Sequence, residues 1–158
     1  MNDSDLDEID LKLLGALQAD ASLSNAALAQ AVHVSPPTCL RRVKRLAEGG
    51  WIERQVAILN RDRLGHGLHA LVEVTLDQQA AEHLDAFEAR AVADASVQQC
   101  WRVSPGPDFV LVIQAADMPD YLAVTQRLLT QDANVRNVKA FFATKRAKFS
   151  TQIALPRG

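Results

Sequence analysis

The sequence predicts an α+β protein with a helical N-terminal part and a C-terminal part built on the order strand, helix, strand, strand, helix, strand. Apolar residues recur at helical spacing over residues 6–47, whereas apolar and polar residues alternate from Leu68 onward. Residues 61–67 are charged and glycine-rich, as is typical of a linker. We therefore expect two domains, residues 1–60 and 68–158, joined by this linker.

Three short helices are predicted in the first domain. Asp5 is the expected N-cap of the first helix, with Glu8 completing a capping box, and Ser24 is the expected N-cap of the second. The expected buried faces are Leu6, Ile9, Leu13 and Leu17 in the first helix and Ala27, Leu28, Ala31 and Val32 in the second. The small residues of the second face allow another helix to approach closely, as a helix-turn-helix requires.

The third helix has the clearest boundaries. Ser35 is its expected N-cap, Pro36 occupies the first position, and Gly49-Gly50 ends it. Its expected buried stripe is Leu40, Val43, Leu46 and Ala47. Residues 51–59 then have an extended pattern, which predicts a small wing or a tether strand.

The second domain is predicted to have four strands and two helices. The strands are expected at 68–76, 97–103, 108–115 and 135–144. One helix carries the stripe Ala80, Leu84, Phe87 and Ala91, and the other is capped by Asp117 and faces inward with Tyr121, Val124 and Leu128. A tight hairpin at 104–107 joins the middle strands. This βαββαβ order is the ferredoxin-like pattern.

Composition limits what the protein can bind. The chain has 158 residues, of which 48% are hydrophobic and 23% charged, as in an ordinary globular protein. Its formal net charge is -2, so any binding to nucleic acid requires a local basic surface. Apolar runs are shorter than a membrane span, and the acidic start does not resemble a secretion leader. We expect a cytoplasmic protein without a membrane partner.

Such a basic surface is predicted on the third helix. Four cations lie off its apolar stripe, and no acidic residue occurs between Ser35 and Ala47. Guanidinium groups bind phosphates and guanine edges, which makes double-stranded DNA the expected partner. A basic helix face is equally typical of a solvated surface, but the preceding capped helix and tight turn favour DNA binding. The candidate DNA-binding residues are Ser35, Thr38, Arg41, Arg42, Lys44 and Arg45.

Several segments together have a distinctive pattern: Leu6-Asp7-Glu8-Ile9-Asp10, the run from Val34 to Leu46, the segments 101–104 and 108–111, and 117–121. In these segments the chain resembles the Lrp/AsnC (feast/famine) family of transcriptional regulators. The resemblance implies a sequence-specific regulator that dimerises through its ferredoxin-like domains, with dimers assembling into tetramers or octamers. It also implies an amino acid or related metabolite bound between dimers near the hairpin, at Ser104, Gly106, Asp108 and Phe109.

Two features, the turn before the third helix and the hairpin, depart from the family pattern. The family usually has glycine at the position of His33, and a left-handed histidine costs about 1 kcal/mol relative to glycine. Its hairpin typically reads Gly-x-x-Asp-Tyr, whereas here Pro105 replaces the glycine, Gly106 follows one residue later, and Phe109 replaces the tyrosine. Proline removes a backbone N–H, which is a donor that a ligand carboxylate would use.

Other functions stay open at this point. Sirohaem decarboxylases resemble this architecture, so an enzyme is one alternative, and a non-specific architectural DNA-binding protein is another. The four histidines are scattered without metal-ligand spacing. We therefore predict no enzymatic activity, no catalytic residues, no metal site and no cofactor. Asp108 is compatible either with binding an effector ammonium group or with capping the turn backbone.

Overall fold

The computed structural model describes residues 6–65 and 67–156. The elements within them are, in chain order, α1 (Glu8–Ala19), α2 (Asn25–Ala31), α3 (Pro36–Glu48), β1 (Leu68–Leu76), α4 (Ala81–Ala93), β2 (Val97–Arg102), β3 (Phe109–Ala115), α5 (Met118–Thr125) and β4 (Val135–Phe142). A π-helical turn, Gln126–Thr130, continues α5. The predicted fold class and element order are confirmed.

The chain divides into two compact units. The first contains the described residues up to Ile58 together with those from Lys148 onward, and the second is Leu59–Ala147. The tail therefore belongs with the helical unit, although the sequence placed it in the C-terminal domain. Two hydrogen bonds of 3.1 Å hold it there, because the Gln18 amide donates to the Ile153 carbonyl and accepts from the Ile153 N–H.

The helical unit packs α1, α2 and α3 around a small core of Leu13, Leu28, Ala29, Val32, Cys39 and Leu46. The segment after α3 contributes Trp51 and Ile52 to this core. Residues 51–59, expected to form a wing or tether strand, form no strand in the described chain.

The first cap differs from the prediction. Asp7 is the N-cap of α1: its carboxylate accepts from the Asp10 N–H, and the Asp10 carboxylate accepts from the Asp7 N–H. The expected cap, Asp5, lies outside the described residues. Both aspartates have an acidic residue three positions later, so the spacing that defines a capping box fits two registers of this sequence.

The buried stripe of α3 is displaced by one residue from the prediction. Cys39 and Leu46 are buried and Val43 is partly buried, whereas Leu40 is 61% exposed and Ala47 is exposed. Cys39, Val43 and Leu46 follow the four- and three-residue spacing of one helix face, and Leu40 lies about 100° away from Cys39. In α2 the same kind of shift buries Ala29 instead of Ala27 and Ala31.

The turn between α2 and α3 contains the left-handed histidine. His33 has φ 58°, and the flanking N–H groups close the helix end, with Val34 donating to the Ala29 carbonyl at 2.9 Å and His33 donating to the Gln30 carbonyl at 3.2 Å. The end of α3 has the same pair of hydrogen bonds around Gly50, at φ 77°. This arrangement is the Schellman motif. His33 therefore adopts the backbone conformation that glycine would take at this turn.

The second unit is a four-stranded antiparallel sheet in the order β2-β3-β1-β4, with α4 and α5 on one face. Side chains that face the helices form the core, among them Val72, Leu111, Phe87 and Val124. Asp117 caps α5 as predicted. Neither α4 nor α5 covers the opposite face of the sheet. Its alternate residues include Leu71, Trp101 and Phe141, all exposed.

Candidate nucleic-acid interface

The first turn of α3 has no free backbone N–H group to offer to a phosphate. Pro36 and Pro37 have no N–H, the Thr38 N–H is bound by the Ser35 hydroxyl at 3.4 Å, and the Cys39 N–H by the Ser35 carbonyl at 2.9 Å. The Ser35 hydroxyl also donates to the Thr38 hydroxyl at 2.8 Å. Because the backbone donors at this helix end are missing or used, any contact between α3 and DNA depends on side chains.

One flank of α3 is joined to α1 by an ion-pair cluster. Asp10 of α1 is fully buried, and its carboxylate accepts from Arg42 at 2.9 Å and from Arg45. Arg42 also donates to Asp7 at 2.6 Å. Its side chain is only 18% exposed, so the expectation that all four cations lie on the exposed side is wrong for Arg42. A buried carboxylate requires such compensation.

Hydrogen bonds within this cluster stabilise the charged forms of Asp7 and Arg42. The backbone N–H of Asp10 and the guanidinium of Arg42 hold the pKa of Asp7 below its usual value. The carboxylates of Asp7 and Asp10 raise the pKa of Arg42 further. Arg42 is therefore a permanent cation whose charge is paired within the protein, where it fixes α3 against the start of α1.

The opposite side of α3 is open. Pro37, Leu40, Arg41 and Lys44 follow one another at spacings of three, one and three residues, which places them on a single face, and all four are exposed. We call these four residues the outer stripe. Lys44 is 73% exposed and its ammonium group lies 3.7 Å from the Glu48 carboxylate, a pair that contributes little. Arg45 lies between the two sides, half exposed while bound to Asp10.

The predicted DNA-binding residues thus separate into three groups. Arg41 and Lys44 extend from the outer stripe, Ser35 and Thr38 organise the helix start, and Arg42 and Arg45 bind Asp10. Asp10 is not among the predicted site residues, although its spacing is a signal: it follows Leu6 by four residues and precedes Leu13 by three, which puts a carboxylate in the apolar face of α1.

The predicted effector residues lie in the hairpin between β2 and β3. The Asp108 carboxylate accepts from the Leu76 N–H at 2.7 Å and from the Gln79 amide at 3.2 Å, so it fastens the hairpin to the end of β1. The Phe109 ring is fully buried against Phe87, with centroids 4.8 Å apart. The exposed members are Ser104 and Gly106.

Comparison with protein families decides what these two units are. An AsnC-type helix-turn-helix domain matches residues 6–47, and an Lrp/AsnC ligand binding domain matches residues 69–153. The chain belongs to the Lrp/AsnC family. Members of this family are transcriptional regulators, so the helical unit is a DNA-binding domain and the sheet unit is of the ligand-binding type.

Individual Lrp/AsnC relatives match almost the whole chain. The leucine-responsive regulatory protein of Rhizobium meliloti is 36% identical over 96% of this chain and 97% of its own length. The Bkd operon transcriptional regulator of Pseudomonas aeruginosa is 37% identical over 90% and 93%. Among solved structures, a transcriptional regulator of Neisseria meningitidis in complex with L-Met superposes with a TM-score of 0.88 at 28% identity, covering 94% of this chain and 96% of the other.

The described residues contain no group of three or more histidine, cysteine or acidic side chains placed to hold a metal ion. They also contain no helix with both the length and the apolar character that a membrane span requires.

Proposed function

We propose that this Lrp/AsnC regulator binds double-stranded DNA in the cytoplasm through the outer stripe of α3. The observation that carries the proposal is the separation of cations on this helix: Arg41 and Lys44 are exposed, whereas Arg42 is committed to Asp7 and Asp10. In a helix-turn-helix the second helix of the motif enters the major groove, where exposed side chains contact phosphates and base edges. We propose a binding function without catalysis, because the relatives are named as regulators.

Replacing an outer-stripe arginine tests this proposal. Arg41→Ala should weaken the DNA complex by about 1–3 kcal/mol if Arg41 reads a base. The matched control is Arg136→Ala, which removes an exposed arginine from β4 in the other unit. Fluorescence anisotropy against DNA upstream of the protein's own gene, titrated at several salt concentrations, measures both. Equal affinity for this DNA and random DNA would instead favour an architectural protein.

We further propose that the protein acts as a dimer formed through the open face of the sheet. The strand register aligns Val112 of β3, Leu71 of β1 and Phe141 of β4 across this face, with Trp101 of β2 paired to Val110 in the adjacent row. Leu71, Trp101 and Phe141 are exposed in the single chain. A second copy would bury this apolar strip and supply a second recognition helix, which a two-fold operator requires. Assembly of such dimers into tetramers or octamers is part of the same proposal.

A charge placed on the open face tests the dimer. Leu71→Arg should give a monomer, because burying a lone cation in an apolar interface is costly. The control is Leu122→Arg, which changes a similarly exposed leucine on α5, on the other side of the sheet. Sedimentation equilibrium reports the mass of both variants. A dimer that survives Leu71→Arg would exclude this face as the interface.

We also propose that an amino acid is the effector and that it contacts the hairpin at Ser104 and Gly106. The solved relative from Neisseria meningitidis is a complex with L-Met, and the family match over residues 69–153 is to a ligand binding domain. The Asp108 carboxylate is bound to the Leu76 N–H of β1 and the Phe109 ring is buried. These two residues would therefore hold the hairpin in place and not contact the effector with their side chains.

Thermal melts with each of the twenty amino acids test this effector. An effector present at a hundred times its Kd stabilises the folded state by about 2.7 kcal/mol. The variant Ser104→Ala should reduce that shift, whereas Ser150→Ala, in the tail, should keep it. Light scattering on the same samples reports whether the effector changes the assembly. Melting curves that none of the amino acids shifts would contradict the proposal.

A further inference from the structure

The outer stripe contains a large apolar side chain that phosphate binding does not explain. Leu40 is 61% exposed, and it is the large apolar side chain of α1, α2 and α3 with the greatest exposure among the described residues. Its neighbours on the helix, Cys39 and Val43, are turned toward the core. Leu40 therefore makes no core contribution that would account for an apolar residue here.

The position of Leu40 on α3 matches the part of a recognition helix that meets base edges. It is the fifth residue of the helix, in the N-terminal half that inserts most deeply in helix-turn-helix complexes. Pro37 lies one turn before it on the same side, whereas Arg41 and Lys44 follow on the side toward the helix end. The stripe is thus apolar in its first half and cationic in its second half.

Chemistry limits what an apolar side chain can contact in the major groove. Phosphates and the polar edges of guanine, adenine and cytosine offer hydrogen bonds, which leucine cannot make. The 5-methyl group of thymine is the apolar group that bases present there. Because Pro36 and Pro37 also remove backbone donors from the first turn, the start of α3 is matched to an apolar feature of the groove.

We propose that Leu40 is a specificity-determining residue that packs against the methyl group of a thymine in the operator. This inference rests on the proposed function, since it requires that the outer stripe enters the major groove. In this arrangement Arg41 and Lys44 supply the electrostatic attraction and Leu40 supplies discrimination between bases. The preference is for thymine at one position, or at a symmetry-related pair in a dimer.

The test uses duplexes that the wild-type protein selects from a random-sequence library. Each thymine is replaced in turn by 2′-deoxyuridine, which keeps the base pair and removes only the methyl group. Wild-type protein should lose about fourfold in affinity at the thymine that contacts Leu40, the value of one buried methylene-sized group. Leu40→Ala should bind the thymine and deoxyuridine duplexes equally.

Two further variants separate methyl recognition from other effects. Leu40→Met keeps an apolar side chain and should keep the discrimination against deoxyuridine. Lys44→Ala should bind both duplexes more weakly by the same factor, so the ratio between them stays unchanged. Leu40→Ala should unfold at the wild-type temperature, because it removes an exposed side chain.

The outcomes are distinct for the two proposals. If wild-type protein selects no duplex, the proposed function fails. If it selects a duplex and no thymine shows a deoxyuridine penalty, or the penalties are the same in Leu40→Ala, the role of Leu40 is wrong while DNA binding stands.

Discussion

The two sides of α3 carry the same kind of residue and use it differently. Arg41 and Arg42 are adjacent in the sequence, but Arg41 is exposed on the outer stripe whereas Arg42 is 18% exposed and bound to two aspartates of α1. A helix turns by about 100° per residue, so one position is enough to move a guanidinium from solvent to an interior ion pair. Counting cations on a recognition helix therefore overstates the charge available to DNA.

Breaking the ion pairs that join α3 to the start of α1 should give the largest effect on stability. Arg42→Ala leaves the buried Asp10 carboxylate without one of its cations, and loss of one partner from a buried pair costs about 3 kcal/mol. Urea unfolding measures this loss directly. Arg41→Ala, the adjacent control, should change the free energy of unfolding by less than about 0.5 kcal/mol.

A double-mutant cycle sharpens the assignment of Arg42. If Arg42 acts through Asp10, the cost of Arg42→Ala should shrink when Asp10 is already alanine, and the difference is the coupling energy. Additive costs would show that Arg42 does not act through this pair. If Arg42→Ala loses more DNA affinity than its unfolded fraction accounts for, Arg42 contacts DNA as well.

The contrast between these arginines also shows what sequence can and cannot predict. Helical spacing and alternation predicted the order of the elements, and β1 was placed at its observed bounds, because these patterns are local. The role of Arg42 depends on Asp10, which lies 32 residues earlier and meets it only after α1 packs on α3. No pattern within α3 contains that information.

Two other differences have the same origin. The stripe of α3 was misplaced because Leu40 is more hydrophobic than Cys39, yet the packing of α1 and α2 decides which of the two is buried. The contact between the tail and the helical unit was not predicted, because its hydrogen bonds with Gln18 use the Ile153 backbone, which every residue possesses. Neither the packing of α1 and α2 on α3 nor the hydrogen bonding of Gln18 to the tail produces a periodic pattern in the sequence.

The turn before α3 allows stability to be changed without touching either side of the helix. His33 has a left-handed backbone, and His33→Gly should stabilise the protein by about 1 kcal/mol because glycine adopts this conformation without steric cost. Thermal unfolding measures the gain. DNA affinity should stay at the wild-type value. A gain in both stability and affinity would show that the turn, and not the inner ion pairs, limits how α3 is presented.

Removing a charge from the outer stripe should have a smaller effect than breaking the ion pair between Arg42 and Asp10. This effect should appear in the salt dependence of DNA affinity. Lys44→Ala should lower the slope of log affinity against log salt by about 1 if Lys44 contacts a phosphate, and it should leave stability unchanged. Anisotropy titrations between low and physiological salt measure the slope. Arg45, which lies between the two sides, offers a comparison: if its ion pair with Asp10 keeps it away from phosphate, Arg45→Ala should leave the slope near wild type.

Lowering the pH should weaken the ion pair between Asp7 and Arg42. The Asp10 N–H and Arg42 hold the pKa of Asp7 below the value of 3.8 that it has when unperturbed. A carboxyl whose pKa is lower in the folded state stabilises the fold above its unfolded pKa, and this contribution disappears as pH falls through the folded pKa.

Asp7→Asn keeps an N-cap that accepts from Asp10 but cannot titrate. The variant should therefore be less stable than wild type at pH 6, and the difference should narrow as the pH is lowered below 3.8. Because Asp7 is half exposed, solvent screens its ion pair, and the change in stability should be smaller than that of Arg42→Ala or His33→Gly. If the difference between the two proteins were the same at every pH, Asp7 would act on α3 only as a cap, and the ion pair with Arg42 would contribute nothing to holding the inner side.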